Sequence, residues 1–95
     1  MVKAFIKREV PPDKGREILP LFRKMRVLAM EQPGYISGET LRNYNYPDEY
    51  LVISTWNSVE DWQRWLESKE RQRIQEEIDS ILQSRTEYSL YYHGL

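Results

Sequence analysis

No cysteine occurs among the 95 residues, which removes a disulfide framework, a thiolate nucleophile and any Cys-ligated metal. Histidine is nearly as scarce. His93 is the only imidazole, and Glu76, Glu77 and Asp79 read as a helix surface rather than a ligand set, so no metal centre is expected. Glycine appears only at 15, 34, 38 and 94, with no Gly-rich phosphate loop. No serine lies in a G-x-S-x-G elbow. No apolar run approaches the roughly 18 residues of a membrane span, and the first residues, MVKAFIKREV, alternate charge with apolar side chains instead of forming a signal-peptide core. These absences fit a cytoplasmic setting. Excess charge is missing too: 14 basic side chains face 15 acidic ones. No field draws phosphate backbones and no basic block interleaves with aromatics, so nucleic acid is not an expected partner.

What is present is a single globular domain spanning residues 1–95, 40% hydrophobic, 13% aromatic and 31% charged. From Val2 to Val10 the chain alternates strictly, with Val2, Ala4 and Ile6 on one face and Lys3, Phe5 and Lys7 on the other, which is a strand. Pro11-Pro12 stops it. Ile18, Leu21, Phe22, Met25, Leu28 and Ala29 then fall within an arc of roughly 120° on a helical wheel, with Pro20 opposite that stripe and expected to kink or restart the helix. Pro33-Gly34 is expected to close the helix, with Gly just past its end. Tyr35 to Asn43 reads as the second strand, NYNYPDE as a turn, and Tyr50 to Trp56 as the third strand, with apolar groups on both faces. Ser58 with Asp61 resembles a capping box, so a helix starts at Val59 with the stripe Val59, Trp62, Leu66. Beyond Ser68 the apolar positions Ile74, Ile78, Ile81 and Leu82 are rotated by roughly a third of a turn, which predicts a break near Ser68. Thr86 to His93 alternates again and closes the chain as a fourth strand. The order β-α-β-β-α-β is the α+β, ferredoxin-like arrangement: a four-stranded antiparallel sheet with the helices on one face.

Helices on one face leave the other to water, yet the third strand has large apolar groups on both faces, the first carries Phe5 opposite its Val/Ala/Ile face, and the fourth carries Tyr91 opposite Tyr88, Leu90 and Tyr92. A contiguous patch of this kind marks an interaction surface, and a homodimer through the sheet face, closing a barrel-like core, is expected.

The stretches QPGYISGETL and YLVISTWNSVEDWQRWLES resemble the antibiotic biosynthesis monooxygenase domain family over residues 2 to 92, most specifically at Gln32-Pro33-Gly34-Tyr35 and Trp56-Asn57-Ser58. The resemblance implies a dimeric α+β barrel. It implies an activity from a diverse set: cofactor-independent oxygenation of phenols and quinols, haem degradation, or isomerisation of small signalling molecules. Haem-degrading members combine an Asn on the first strand, a Trp on the second helical segment and an iron-ligating His about ten residues beyond it. Here Trp65 matches the Trp, but the first strand offers Lys7 and Arg8, and Gln75 stands at the His position. Two of the three positions depart, which argues against haem, and no cofactor is expected.

What remains is an apolar, aromatic-lined pocket between helices and sheet, suited to a small aromatic, phenolic or quinone-like ligand. Cofactor-free oxygenation there needs walls for the ring, a base for a phenolic proton and a stabiliser for the anion. The candidates are Trp65 and Trp62 as walls, Asn57 or Gln75 as hydrogen-bond donors, Arg42 or Arg8 as anion stabilisers, and His93 or a tyrosine as base. Trp62 lies within its helix's apolar stripe, whereas Trp65 lies some 80° from the stripe's centre. The competing reading is a non-catalytic dimeric module of the same fold, binding a ligand or haem or filling its pocket with its own side chains. An open space beside Trp65, with an ionisable group pointing into it, separates the two.

Overall fold

The computed structural model describes residues 1–95. Strand β1 (Val2–Glu9) buries every second side chain, as its alternation dictates, and leads through a short 3-10 turn, Pro12–Lys14, into α1 (Gly15–Met30). Strands β2 (Tyr35–Arg42) and β3 (Glu49–Trp56) follow, then α2 (Val59–Leu66), α3 (Lys69–Leu82) and β4 (Glu87–Tyr92). The strands form one sheet in the order β2-β3-β1-β4, and every neighbouring pair is antiparallel. The ferredoxin-like expectation therefore holds, with the second helical segment divided in two. No helix is long and apolar enough to cross a membrane.

The register assigns the faces. Residues directly opposite one another on adjacent strands share a side, and Val2, Ala4 and Ile6 stand opposite Trp56, Ser54 and Val52 on β3. That side meets the helices and holds the core, where Ile18, Trp56 and Ile78 have no exposed surface. Trp56 stands edge-on to Tyr35 at 5.4 Å, stacks tilted against Trp62 at 5.9 Å, and donates its indole N–H to Ser54 Oγ at 3.0 Å. The opposite side carries Phe5, Ile53, Leu51, Leu41 and Tyr91, with no helix over it.

The breaks in the helices have local causes. Ser58 caps α2 by accepting from the Asp61 amide at 3.2 Å; the Asp61 side chain, one methylene shorter than the usual Glu, accepts a hydrogen bond from the Ser58 hydroxyl at 3.0 Å. Ser68 ends the first piece and starts the second, donating to the Trp65 carbonyl at 2.9 Å and accepting from the Arg71 amide at 3.3 Å. The wheel discontinuity seen in the sequence is thus a true break.

Two expectations need correction. Helix α1 does not restart at Pro20 but runs through it as one element. Pro20 and Arg16 are both exposed, so the carbonyl that loses its partner turns to water, which lowers the cost of a mid-helix proline. Pro33-Gly34 does not cap α1 either, because the helix ends at Met30, four residues before the glycine. Gly34 has φ +85° and the Tyr35 amide donates to the Gln32 carbonyl at 3.2 Å, which is a type II turn with Pro33 at its second position.

Gly34 also accepts from the Asn57 amide at 2.8 Å, and a Cβ placed on it would overlap the Asp61 side chain. The Gln32–Tyr35 and Trp56–Ser58 segments therefore meet and lock α2 to the sheet. Gly34→Ala is expected to lower unfolding free energy by about 2 to 3 kcal/mol, combining left-handed strain with the overlap. Urea denaturation checks this, and a loss below about 0.5 kcal/mol would show that the turn adapts at little cost.

Candidate active site

Between the helices and the sheet lies a cavity of about 60 Å³. Every helix and three of the strands contribute to its wall: Ile6 and Arg8 from β1, Phe22 and Met25 from α1, Tyr35 and Thr40 from β2, Ser54 from β3, Trp62 and Trp65 from α2, and Arg71 from α3. An engineered cavity of roughly 150 Å³ holds benzene, so this space admits a few waters as it stands and must widen to take a ring. At its rim Arg26 of α1 reaches the Gly38 carbonyl of β2 at 3.4 Å, a long and exposed hydrogen bond.

Trp65 and Trp62 both face the cavity, at 2% and 5% exposure. The wheel offset singled out Trp65, but the break at Ser68 and the packing of α2 turn both rings to the same space, so Trp62 is wall as well as core. Arg8 is 3% exposed. Its guanidinium lies over the Phe22 ring at 5.1 Å, and Nη2 donates to Gln75 Oε1 at 2.8 Å and weakly to Met25 Sδ at 3.7 Å. Gln75 supports Arg8 from behind the wall: its amide Nε2 donates to Asp79 at 2.8 Å and to Thr86 at 3.0 Å, and its oxygen also accepts from the Tyr88 hydroxyl at 3.2 Å. Gln75 therefore orients Arg8 and does not itself line the cavity.

The other candidates lie elsewhere. Arg42 stacks on Tyr50 at 5.0 Å and donates to the Pro47 carbonyl at 2.9 Å, bracing the β2–β3 loop. Asn57 is exposed at the end of β3, where its backbone serves the Gly34 turn. His93 follows β4, exposed, beside Phe5 and Tyr91 on the open side of the sheet. The sheet separates His93 from the two tryptophans, so it is not placed to act as a base for a ligand between them. The structure brings Trp62, Trp65 and Arg8 together and leaves out Asn57, His93 and Arg42.

Arg71 is the residue that sequence reasoning missed. It is 2% exposed, faces the cavity, lies 5.8 Å from the Trp62 ring and 5.2 Å from the Tyr88 ring, and donates to the Tyr88 hydroxyl at 3.1 Å. A signal for it existed. Arg71, Ile74, Ile78 and Leu82 follow the i, i+3, i+7, i+11 spacing of a buried stripe, and all four are buried. A charge on such a stripe is out of place unless something needs it.

Neither arginine is in an ion pair; the two ion pairs present, Lys7–Glu87 and Arg64–Asp61, are at the surface. The Nε atoms of Arg8 and Arg71 are buried with no partner. Loss of hydration and the neighbouring Arg71 pull the Arg8 guanidinium down to about 10, still charged at neutral pH. Glu39 touches the rim, but its register partner is Ile53, which turns its side chain to the open face. The buried part of the cavity wall thus carries two positive charges, Arg8 and Arg71, and no carboxylate or imidazole, while the exposed Arg26 and Glu39 stand at the rim.

The family model described as antibiotic biosynthesis monooxygenase matches residues 1–77. Among solved structures, a conserved protein from Methanosarcina mazei Go1 is similar with a TM-score of 0.86 at 18% identity, covering 95% of this chain and 89% of that one. A structure described as an antibiotic biosynthesis monooxygenase gives 0.86 at 15%, covering 98% of both chains. SnoaB, a cofactor-independent oxygenase from Streptomyces nogalater, gives 0.82 at 18%, covering 99% of this chain and 94% of its own. At these identities the likeness is one of fold. No curated protein matches by sequence.

Proposed function

The chain belongs to the antibiotic biosynthesis monooxygenase family, and from that membership we propose that its cavity takes a small phenolic or quinol-type ring and oxygenates it with dioxygen, without metal or flavin. The observation that carries this reading is the pair of buried guanidinium groups, free of carboxylate partners, in a space walled by Trp62 and Trp65. A phenol with an ordinary pKa of about 10 drops by roughly 1 to 3 units beside one cation within about 4 to 6 Å. The wall supplies charge in place of a base: the ring loses its proton to water, and the guanidiniums hold the anion. The electron-rich phenolate then reacts with dioxygen directly. One oxygen atom replaces two hydrogens at a ring carbon of the keto tautomer, the other leaves as water, and all the electrons come from the substrate.

The donors in the wall do not suit haem. They include no imidazole or thiolate, the one thioether, Met25, already accepts from Arg8, and Tyr35 is the single phenol among them.

Oxygen-electrode measurements with a panel of hydroquinones and phenols test the reading. Consumption above autoxidation is expected, falling at least about tenfold in Arg8→Met, since a charge-assisted contact at the anion contributes on the order of 1.5 to 3 kcal/mol. Binding without any consumption would point instead to a ligand-binding module, a reading that the small cavity volume and the lack of a buried carboxylate or imidazole beside Tyr35 favour. No binding of any phenol would remove both.

The open sheet face is assigned to a second copy of this chain. Phe5, Leu51 and Ile53 lie on it half-buried, and Leu41 and Tyr91 are 44% and 57% exposed. A symmetric pairing would cover this patch isologously and place His93 at the contact rather than at the chemistry.

A further inference from the structure

Two guanidinium groups are more positive charge than one phenolate balances. The protein partners of Arg8 are the Gln75 amide and the Met25 thioether, and the partner of Arg71 is the Tyr88 hydroxyl, all neutral. Asp79 reaches this network only through the far side of Gln75. At 3% and 2% exposure, each with an Nε that meets nothing, these groups have aromatic faces and neutral hydrogen-bond partners but no anion in contact, so much of the cost of burying their charge stands until an anion enters the cavity.

We infer that the ring taken by this cavity carries a carboxylate: the substrate class is a one-ring hydroxyaryl carboxylate, whose two acidic oxygen functions pair with Arg8 and Arg71 while its ring stands against Trp62 and Trp65. The inference rests on the reading that the cavity binds a phenolic ring, and adds the second charge. A guanidinium fork matches a planar carboxylate through two parallel hydrogen bonds. A carboxylate lies in the plane of its ring and so enters a slot between aromatic walls, whereas a tetrahedral phosphate stands out of that plane. The volume of about 60 Å³ limits the ring count to one, because even one requires the walls to part.

Isothermal titration of the full chain at neutral pH with 2,5-dihydroxybenzoate, hydroquinone and inorganic phosphate decides it. Dihydroxybenzoate is expected to bind at least about tenfold more tightly than hydroquinone, the difference that a charge-assisted pair makes. Arg71→Met is expected to reduce that preference toward unity while hydroquinone binding falls less, and Arg71→Lys to retain part of it. Near-ultraviolet circular dichroism establishes that each variant is folded. Equal affinities for the two rings in the wild type would overturn the carboxylate inference and leave the phenolic reading standing. Failure of both rings to bind would overturn both. Phosphate binding as tightly as dihydroxybenzoate would identify a site for free anions and overturn the inference as well.

Discussion

Replacing Arg71 by methionine is expected to make the ligand-free protein more stable, by about 1 kcal/mol or more, while removing its capacity to hold an anion. Buried charges exchanged for apolar groups of similar volume commonly leave stability unchanged or raise it by roughly 1 to 4 kcal/mol, provided that no partner is left stranded. None is stranded here. Tyr88 loses the donor Arg71 but continues to donate to Gln75 Oε1, which still accepts from Arg8. Methionine is flexible and fills an irregular space beside aromatic rings. The same logic applies to Arg8, whose pKa is lowered from the ordinary guanidinium range to about 10 in the fold by burial and by the neighbouring Arg71. A folded value below the unfolded one means that the fold prefers the neutral form, so the charge carried at neutral pH works against folding. For a domain of this size a gain of 1 kcal/mol raises the melting temperature by about 4 to 8 °C. Calorimetric melting of the wild type and Arg71→Met measures it. A drop of more than about 1 kcal/mol would show that the stacking of Arg71 on Trp62 and Tyr88 outweighs its desolvation, making it a structural residue and weakening the case for a ligand anion.

The second large effect concerns the open face. Ile53→Lys is expected to convert a dimer into a monomer of 11.5 kDa at micromolar concentration, with little change in the stability of the single chain. Ile53 lies on β3 between Phe5 on β1 and Glu39 on β2, so within one chain an introduced lysine has Glu39 beside it and water above. In a symmetric pairing two lysines enter one apolar contact, and each unpaired buried charge costs several kcal/mol. Light scattering across a concentration series reads the mass directly. A monomeric wild type, or an Ile53→Lys protein whose mass does not change, removes the assignment of this face to a second copy.

Much of the fold was legible in the residues because local physics sets it. The alternation of β1, the wheel stripes of α1 and α3, and the Ser58 and Ser68 caps each depend on a few consecutive side chains. A restart at Pro20 and a helix cap at Pro33-Gly34 both failed to appear because a nearby alternative was cheap. Pro20 interrupts nothing because its lost hydrogen bond faces water, and Pro33-Gly34 forms a separate turn because Gly34 must fit against Asp61, far along the chain.

The candidate site was legible only in part, for a related reason. Trp62, Trp65 and Arg8 could be proposed from their places on a stripe, at its edge and on a strand, but convergence on one space is a property of register and crossing helices. Asn57, Arg42 and His93 had suitable chemistry, yet Asn57 stands just past the end of β3, Arg42 at the end of β2 against the β2–β3 loop, and His93 on the far face. Arg71 had its stripe position on record in the sequence, where a solvated surface arginine is the ordinary expectation.

By itself, then, the sequence determined the element order, the two-faced sheet and the family, because hydrophobic periodicity and capping are local and repeat along the chain. Only the tertiary structure decided that the cavity is small, that two buried arginines without carboxylate partners line it, and that the single histidine is screened from it by the sheet. Those facts arise from contacts such as Arg8 with Gln75, 67 positions apart, whose energies depend on burial that no local pattern records.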